Sequence, residues 1–297
     1  MSDVFAPPGF RLAAVTVAAL VLAAAGCAPQ DDPDGSGRAA ASSSASPRCT
    51  PGSLPTRTAG RLTIGTDNPA YAPWFDHNTP ANGKGFESAV AYAVARKLGY
   101  TGSEVAWQTV PFNNAIAPGA KRFDIDINQV SISDERRSAV DFSSGYYDVR
   151  QALIALKGSK LAHARSLADL RDARLGAQVG TTSLDVLRTT VRPNRTPAVY
   201  QKNDLAKTAL KNGQVDGIIV DLPTAFYITS AEVTNAVVVG QFAGTGSKAE
   251  QFGLVLDKGS ALTGCVTGAV DALRADGTLA ALDKQWLSDA VDAPVLK

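Results

Sequence analysis

The chain has 297 residues, 45% of them hydrophobic and 19% charged, an ordinary balance for a soluble globular protein of one or two domains. Its 29 Lys and Arg against 28 Asp and Glu leave a formal net charge of +1. No long-range field draws such a chain to nucleic acid or acidic lipid, so nucleic-acid binding is set aside.

Arg11 is followed by LAAVTVAALVLAAAGC, an apolar run too short to span a bilayer comfortably and ending in small residues, as a processing site does. Leu22 to Cys27, LAAAGC, resembles the lipobox of bacterial lipoproteins, in which the cysteine is lipidated and becomes the N-terminus. A non-lipidated secretory signal is the alternative. Residues 1–27 are therefore read as a lipoprotein signal peptide with Cys27 as the lipidation site, which places the protein outside the cytoplasm, anchored to the outer face of the cell membrane. Residues 28–56 follow as a flexible linker, because their Gly, Ser, Pro, Ala and Asp bury too little apolar surface to offset ordering. Cys49 and Cys265 remain. Export favours a disulfide between them over two free thiols, and closing so long a loop adds roughly 4–5 kcal/mol in the chain-entropy model.

Strands and helices then alternate. RLTIGTD (61–67) reads as a strand, and GFESAVAYAVARKLGY (85–100) carries Phe86, Ala89, Val90, Ala93, Val94 and Leu98 on one helical face. EVAWQTV (104–110) and FDIDINQV (123–130) follow as strands. A second block begins with the strand QALIALK (151–157) and continues through SLADL, where Ser166 and Asp169 form a capping pair. RLGAQVG (174–180) feeds the helix TTSLDVLRTTV, and NDLAKTALKNGQVDGIIVD (203–221) is a helix, a turn and a strand. AVVVGQF (236–242) and FGLVLDKG (252–259) are further strands, and two helices around ALRADGTLAALDKQWL close the chain. The order is that of an α/β fold with helices on the sheet faces. QALIALK and FGLVLDKG are either ordinary core strands or two crossings between lobes. Periodicity does not choose between these.

No constellation demands catalysis. His77 and His163 sit in polar, loop-like surroundings, and the chain carries no H-E-x-x-H, G-x-S-x-G, phosphate loop or cysteine cluster. Neither a metal nor a cofactor is expected. Asp67, Asn128, Gln129, Thr181, Thr182 and Asp221, by contrast, fall at or just beyond strand ends, where open α/β sheets bind ligands. Thr181 to Ser183 open a helix whose free N–H groups suit a carboxylate. Arg136 is able to clamp the same carboxylate with two parallel bonds, and Asp221 to accept from an ammonium. Each has a plainer reading: Thr182 and Asp221 as helix caps, Arg136 in a solvated charge cluster, and Tyr71, Trp74 and Phe112 as core aromatics.

The stretches LTIGTDNPAYAPW, GFESAVAYAVARKLG, FDIDINQVSISDERRSAVDFSSGYY, LADLRDARLGAQVGTTS, GQVDGIIVDLPTA and ALRADGTLAALDKQW decide between these readings. From Arg61 to Leu287 they resemble, in order, the solute-binding proteins of polar amino-acid ABC importers (family 3 solute-binding lipoproteins). The resemblance implies a two-lobed periplasmic-binding-protein-like α/β fold with two crossings and a central ligand cleft. Lobe 1 is expected over 57–151 and again over 246–297, and lobe 2 over 152–245. It implies a non-enzymatic, monomeric protein that passes an amino acid to a permease. An enzyme on the same fold, such as a cyclohexadienyl dehydratase, and a ligand-sensing module are the alternatives.

By motif position, Arg136 holds the α-carboxylate, Ser131 contacts the ammonium or carboxylate, Thr182 gives a second carboxylate contact and Asp221 receives the α-ammonium. Phe112 and Tyr71 flank the side chain, and Asp67 lies near its distal end. Two departures bear on the side chain. TDNPAYAPW is one residue longer than the usual pattern, so Tyr71 and Trp74 compete to stack on the ligand, and Asn128 and Gln129 replace small residues. With Asp67, Asn128 and Gln129 the lining is expected to be polar and slightly acidic, favouring a polar or basic ligand side chain, while Glu87 is read as a residue of the helix N-terminus before it is read as part of the lining.

Overall fold

In the computed structural model, which describes residues 49–243, 249–287 and 292–297, the linker expected through residue 56 ends early. Cys49 is bonded to Cys265 with Cα atoms 5.4 Å apart, and Leu54 is buried in the first core, so residues 49–56 are held against the fold. The signal peptide 1–27 with Cys27, and the linker up to residue 48, lie outside the described residues.

The first lobe opens with β1 (Leu62–Thr66), α1 (Phe86–Lys97), β2 (Val105–Thr109), a short α2 (Phe112–Ile116), β3 (Ile125–Asp126), a one-turn α3 (Asp134–Arg137) and β4 (Val140–Val149). The predicted face of α1 is the buried one: Phe86, Val90, Ala93, Val94 and Leu98 pack with Val266 and Val270 in one core cluster. Gly85 ahead of it has φ +90, and a Cβ there would stand 2.5 Å from the Trp74 carbonyl oxygen, so only glycine lets the loop lie this close. The strand expected over 123–130 pairs only at Ile125 and Asp126. Gln129 adopts a left-handed φ of 49, which turns the chain out of the sheet.

The second lobe runs β5 (Gln151–Leu156), β6 (Leu175–Gln178), α4 (Thr182–Val186), β7 (Ala198–Tyr200), α5 (Asn203–Lys211), β8 (Gly217–Asp221), α6 (Leu222–Tyr227) and β9 (Ala236–Phe242). The chain then returns through β10 (Glu250–Asp257), α7 (Thr263–Ala275) and α8 (Thr278–Trp286), and ends in β11 (Val295–Leu296). The strands form two sheets, β2-β1-β3-β10-β4 and β11-β9-β5-β8-β6-β7, each with a buried apolar cluster on both faces. This is the two-lobed α/β fold, with helices covering the sheets.

The end of the chain departs from the expectation that 246–297 returns wholly to the first lobe. β11 pairs in parallel with β9 of the second sheet, Leu296 is buried there, and the buried Gln241 amide donates to Asp292 and to the Ala293 carbonyl (2.5 Å). To the two crossings the chain thus adds a terminal strand on the second sheet. The physical reason is the open edge of β9, whose backbone groups β11 satisfies.

Candidate functional site

Four strand ends meet between the lobes. β1 delivers Asp67 and β3 delivers Asn128 and Gln129 from the first lobe. β6 delivers Thr181 and Thr182, and β8 delivers Asp221, from the second. Tyr71, Phe112 and Arg136 complete the same cleft, so nearly all the residues expected at the ligand are brought together. Gln178 and the helix-opening Asn203 also line it. Gln178 ends β6, and the strand-end argument that chose its neighbours applies equally to it. The cavity is about 40 Å³, room for a few waters.

Arg136 is no surface charge. It is 9% exposed, lies over the Phe112 ring at 5.6 Å, and donates to the Ser131 carbonyl at 2.6 Å and the Gly180 carbonyl at 2.9 Å. A guanidinium fork carries more donors than these two bonds use. Burial lowers its pKa, while Asp185, Glu250 and Asp221 act in the opposite sense. Asp221, though it precedes α6, makes no capping bond; its Oδ1 accepts from the Gln151 amide at 2.8 Å. Burial, and then Glu250, push its carboxyl up to about 7, against the pull of Gln151 and Arg136. Thr181 caps α4, accepting from the Leu184 N–H at 3.3 Å, which leaves the Thr182 hydroxyl to approach Ser131 Oγ at 3.3 Å across the cleft.

Two expected residues are not part of the cleft lining itself. Trp74 is fully buried among Phe86, Tyr147 and Phe252, and its indole N–H donates to Thr224 Oγ1 of the second lobe at 2.9 Å. It is a core residue that also ties the lobes, and the cleft wall is left to Tyr71. Ser131 is buried beside the cleft, where its hydroxyl donates to Glu250 Oε1 at 2.5 Å.

Sequence reasoning missed Gln151 and the role of Glu87. Gln151, the first residue of β5 after the lobe crossing, joins Asp221, Ser183 (2.5 Å) and Glu250 (3.2 Å) into one network. Glu87 does not line the cleft. It is buried beneath it, accepts from the Gln129 N–H at 2.7 Å, and also bonds the Gln129 side chain and the Tyr146 hydroxyl. It thereby fixes the left-handed turn that presents Asn128 and Gln129. Its carboxyl is pushed up to about 7, chiefly by burial. Among the described residues no cluster of His, Cys, Asp or Glu is placed to hold a metal, and no helix is long and apolar enough to cross a membrane.

Residues 62–289 match the model of the bacterial extracellular solute-binding proteins, family 3. The chain is 28% identical over 229 residues to the L-cystine-binding protein TcyJ of Escherichia coli (strain K12), covering 76% of this chain and 82% of that protein. Among solved structures, an ancestral arginine-binding protein bound to glutamine is 27% identical with a TM-score of 0.64, over 77% of this chain and 98% of that one. The ancestral amino acid-binding protein AncCDT-1, a precursor of cyclohexadienyl dehydratase, is 27% identical with a TM-score of 0.63, over 76% and 95%. With a family model spanning most of its folded part and this architecture, the chain belongs to the bacterial extracellular solute-binding proteins, family 3.

Proposed function

We propose that this protein captures an amino acid between its lobes and delivers it to the permease of an ABC importer, acting as a non-enzymatic monomer held near the membrane by lipid on Cys27. The observation that carries the reading is the division of charge between the lobes. Arg136 belongs to the first lobe, and the opening turn of α4 and Asp221 belong to the second, all facing one cleft. A zwitterion bridging them has its carboxylate and ammonium paired only when the lobes are shut, so binding selects the closed form. Closure expels water and strengthens each charge-assisted bond. The closed shape is then the signal a permease reads. The relatives, whose names give cystine, arginine and glutamine as ligands, support an amino acid as the solute.

Thermal unfolding of the purified protein, refolded to strip bound ligand, tests this against all common amino acids plus prephenate. A ligand at 100 times its Kd stabilises by about 2.7 kcal/mol. A rise with an amino acid, lost in Arg136→Ala and Asp221→Ala, supports the reading. A rise with prephenate alone would replace it with an enzyme on the same fold.

A further inference from the structure

The cleft divides electrostatically. The carboxylates acting on Arg136 are Asp185, Glu250, Asp221 and Glu135, whereas Asp67 lines the cleft with Tyr71 and pairs with Lys202. Asp67 and the Tyr71 ring are the two groups of this second part that a ligand's cationic side chain would seek, the one as counter-ion, the other as a π face. Both are already engaged by lysines that the second lobe brings across the cleft.

Lys202, immediately before α5, places its ammonium 3.8 Å from Asp67 Oδ1 and donates to the adjoining Asn68 carbonyl. Asp67 accepts besides from the Asn68 N–H at 2.6 Å and the Phe112 N–H at 3.3 Å. Lys207, one turn further along α5, lies 5.1 Å from the centre of the Tyr71 ring and is itself fixed by Asp204 and Glu232, each at 2.8 Å. A ligand ammonium or guanidinium entering here would have to displace a lysine from each group or sit against like charge. Asn128 Nδ2, by contrast, is buried at the same cleft without a hydrogen-bond partner among the described residues, and needs an acceptor.

We propose that Lys202, supported by Lys207, screens cationic side chains out of the cleft, and that the bound amino acid has a neutral polar side chain offering an acceptor to Asn128. This reverses the slightly acidic lining expected from Asp67, Asn128 and Gln129 alone, because the neutralising charge comes from the opposite lobe. The inference rests on the amino-acid reading above.

Titration calorimetry of the refolded full chain in detergent, with L-glutamine, L-asparagine, L-serine, L-cystine, L-arginine, L-lysine and L-glutamate, tests it. One of the neutral polar ligands is expected to bind at least tenfold more tightly than arginine, lysine or glutamate. Lys202→Ala, at a side chain 42% exposed and outside both cores, should narrow the gap to arginine at least fivefold. Adding Asp67→Asn should cancel that gain, since the freed carboxylate is what the arginine uses. Tighter binding of arginine, lysine or glutamate to the wild type, or a Lys202→Ala ratio within twofold of wild type, overturns the discriminator while leaving amino-acid binding intact. No binding by any of these, with no response to the other amino acids in the unfolding assay, overturns both readings.

Discussion

The Arg136 guanidinium of the first lobe donates to the Gly180 carbonyl of the second at 2.9 Å, directly ahead of the turn that opens α4. One side chain thus touches both walls of the cleft, two residues ahead of α4. If it clamps a carboxylate there, Arg136→Ala should weaken ligand binding by about 3 kcal/mol, roughly a hundredfold. Arg136→Lys should recover little of the loss, because a point charge lacks the planar fork. Calorimetric titration of the three proteins checks this.

Asp221 makes the pH dependence of binding and of stability run in opposite directions. With its carboxyl raised to about 7, an α-ammonium is best received once the group is ionised. Affinity should therefore rise with pH up to about 7, and fall by up to about tenfold per unit below it. Stability of the unliganded protein behaves otherwise. The folded-state pKa values of Asp221 and Glu87 both exceed their unfolded values, so the folded state binds the extra protons. That contribution is fully present below the unfolded pKa near 4 and is lost as pH rises through about 7. Unfolding midpoints measured from pH 4 to 8 should fall across this window, and Asp221→Asn should flatten part of the fall.

The Trp74–Thr224 bond joins the two lobes, and lobe opening would break it. Thr224→Val keeps the shape but removes the acceptor, so closing the lobes would bury an unpaired indole N–H. That costs about 1–2 kcal/mol, and ligand affinity should drop roughly tenfold. The midpoint of the unliganded protein should move by no more than a few degrees. Titration and calorimetric scans of the one variant separate the two effects.

The disulfide and the terminal strand each hold down an end of the fold. Reducing Cys49–Cys265 should cost about 2–5 kcal/mol, which lowers the unfolding midpoint by roughly 5–15 °C. Deleting 292–297 removes Leu296 from the second core and strips the partners of the buried Gln241. A loss of about 3 kcal/mol should follow, read by denaturant titration.

Where periodicity and strand-end chemistry act together, the sequence was readable. The face of α1, the strands β1, β5 and β8, and the positions of Asn128, Thr182 and Asp221 follow from local pattern. What was missed depends on tertiary context. β4, ten residues long, was not marked because Ser143, Ser144, Gly145 and Asp148 weaken its strand signature, and pairing with β10 supplies what propensity does not. Trp74 stayed open between stacking on the ligand and packing in the core, because an aromatic beside a binding motif looks the same whether it faces ligand or core. Asp126 follows the alternation of FDIDI yet is fully buried, with burial pushing its carboxyl well above the usual range. Lys202 carried no local signal at all, because its partner lies across the cleft.

In the proposed mode of recognition, opposite ends of a zwitterion are held by opposite lobes. Its most direct test compares the tightest-binding amino acid with its decarboxylated amine and its deaminated acid, in wild type, Arg136→Ala and Asp221→Asn. If the claim holds, Arg136→Ala abolishes the advantage of the amino acid over the amine yet leaves amine binding nearly unchanged. Asp221→Asn does the same for the deaminated acid. If each substitution weakens both analogues equally, neither residue is reading its own end of the ligand, and the division of charge between the lobes is not the basis of recognition.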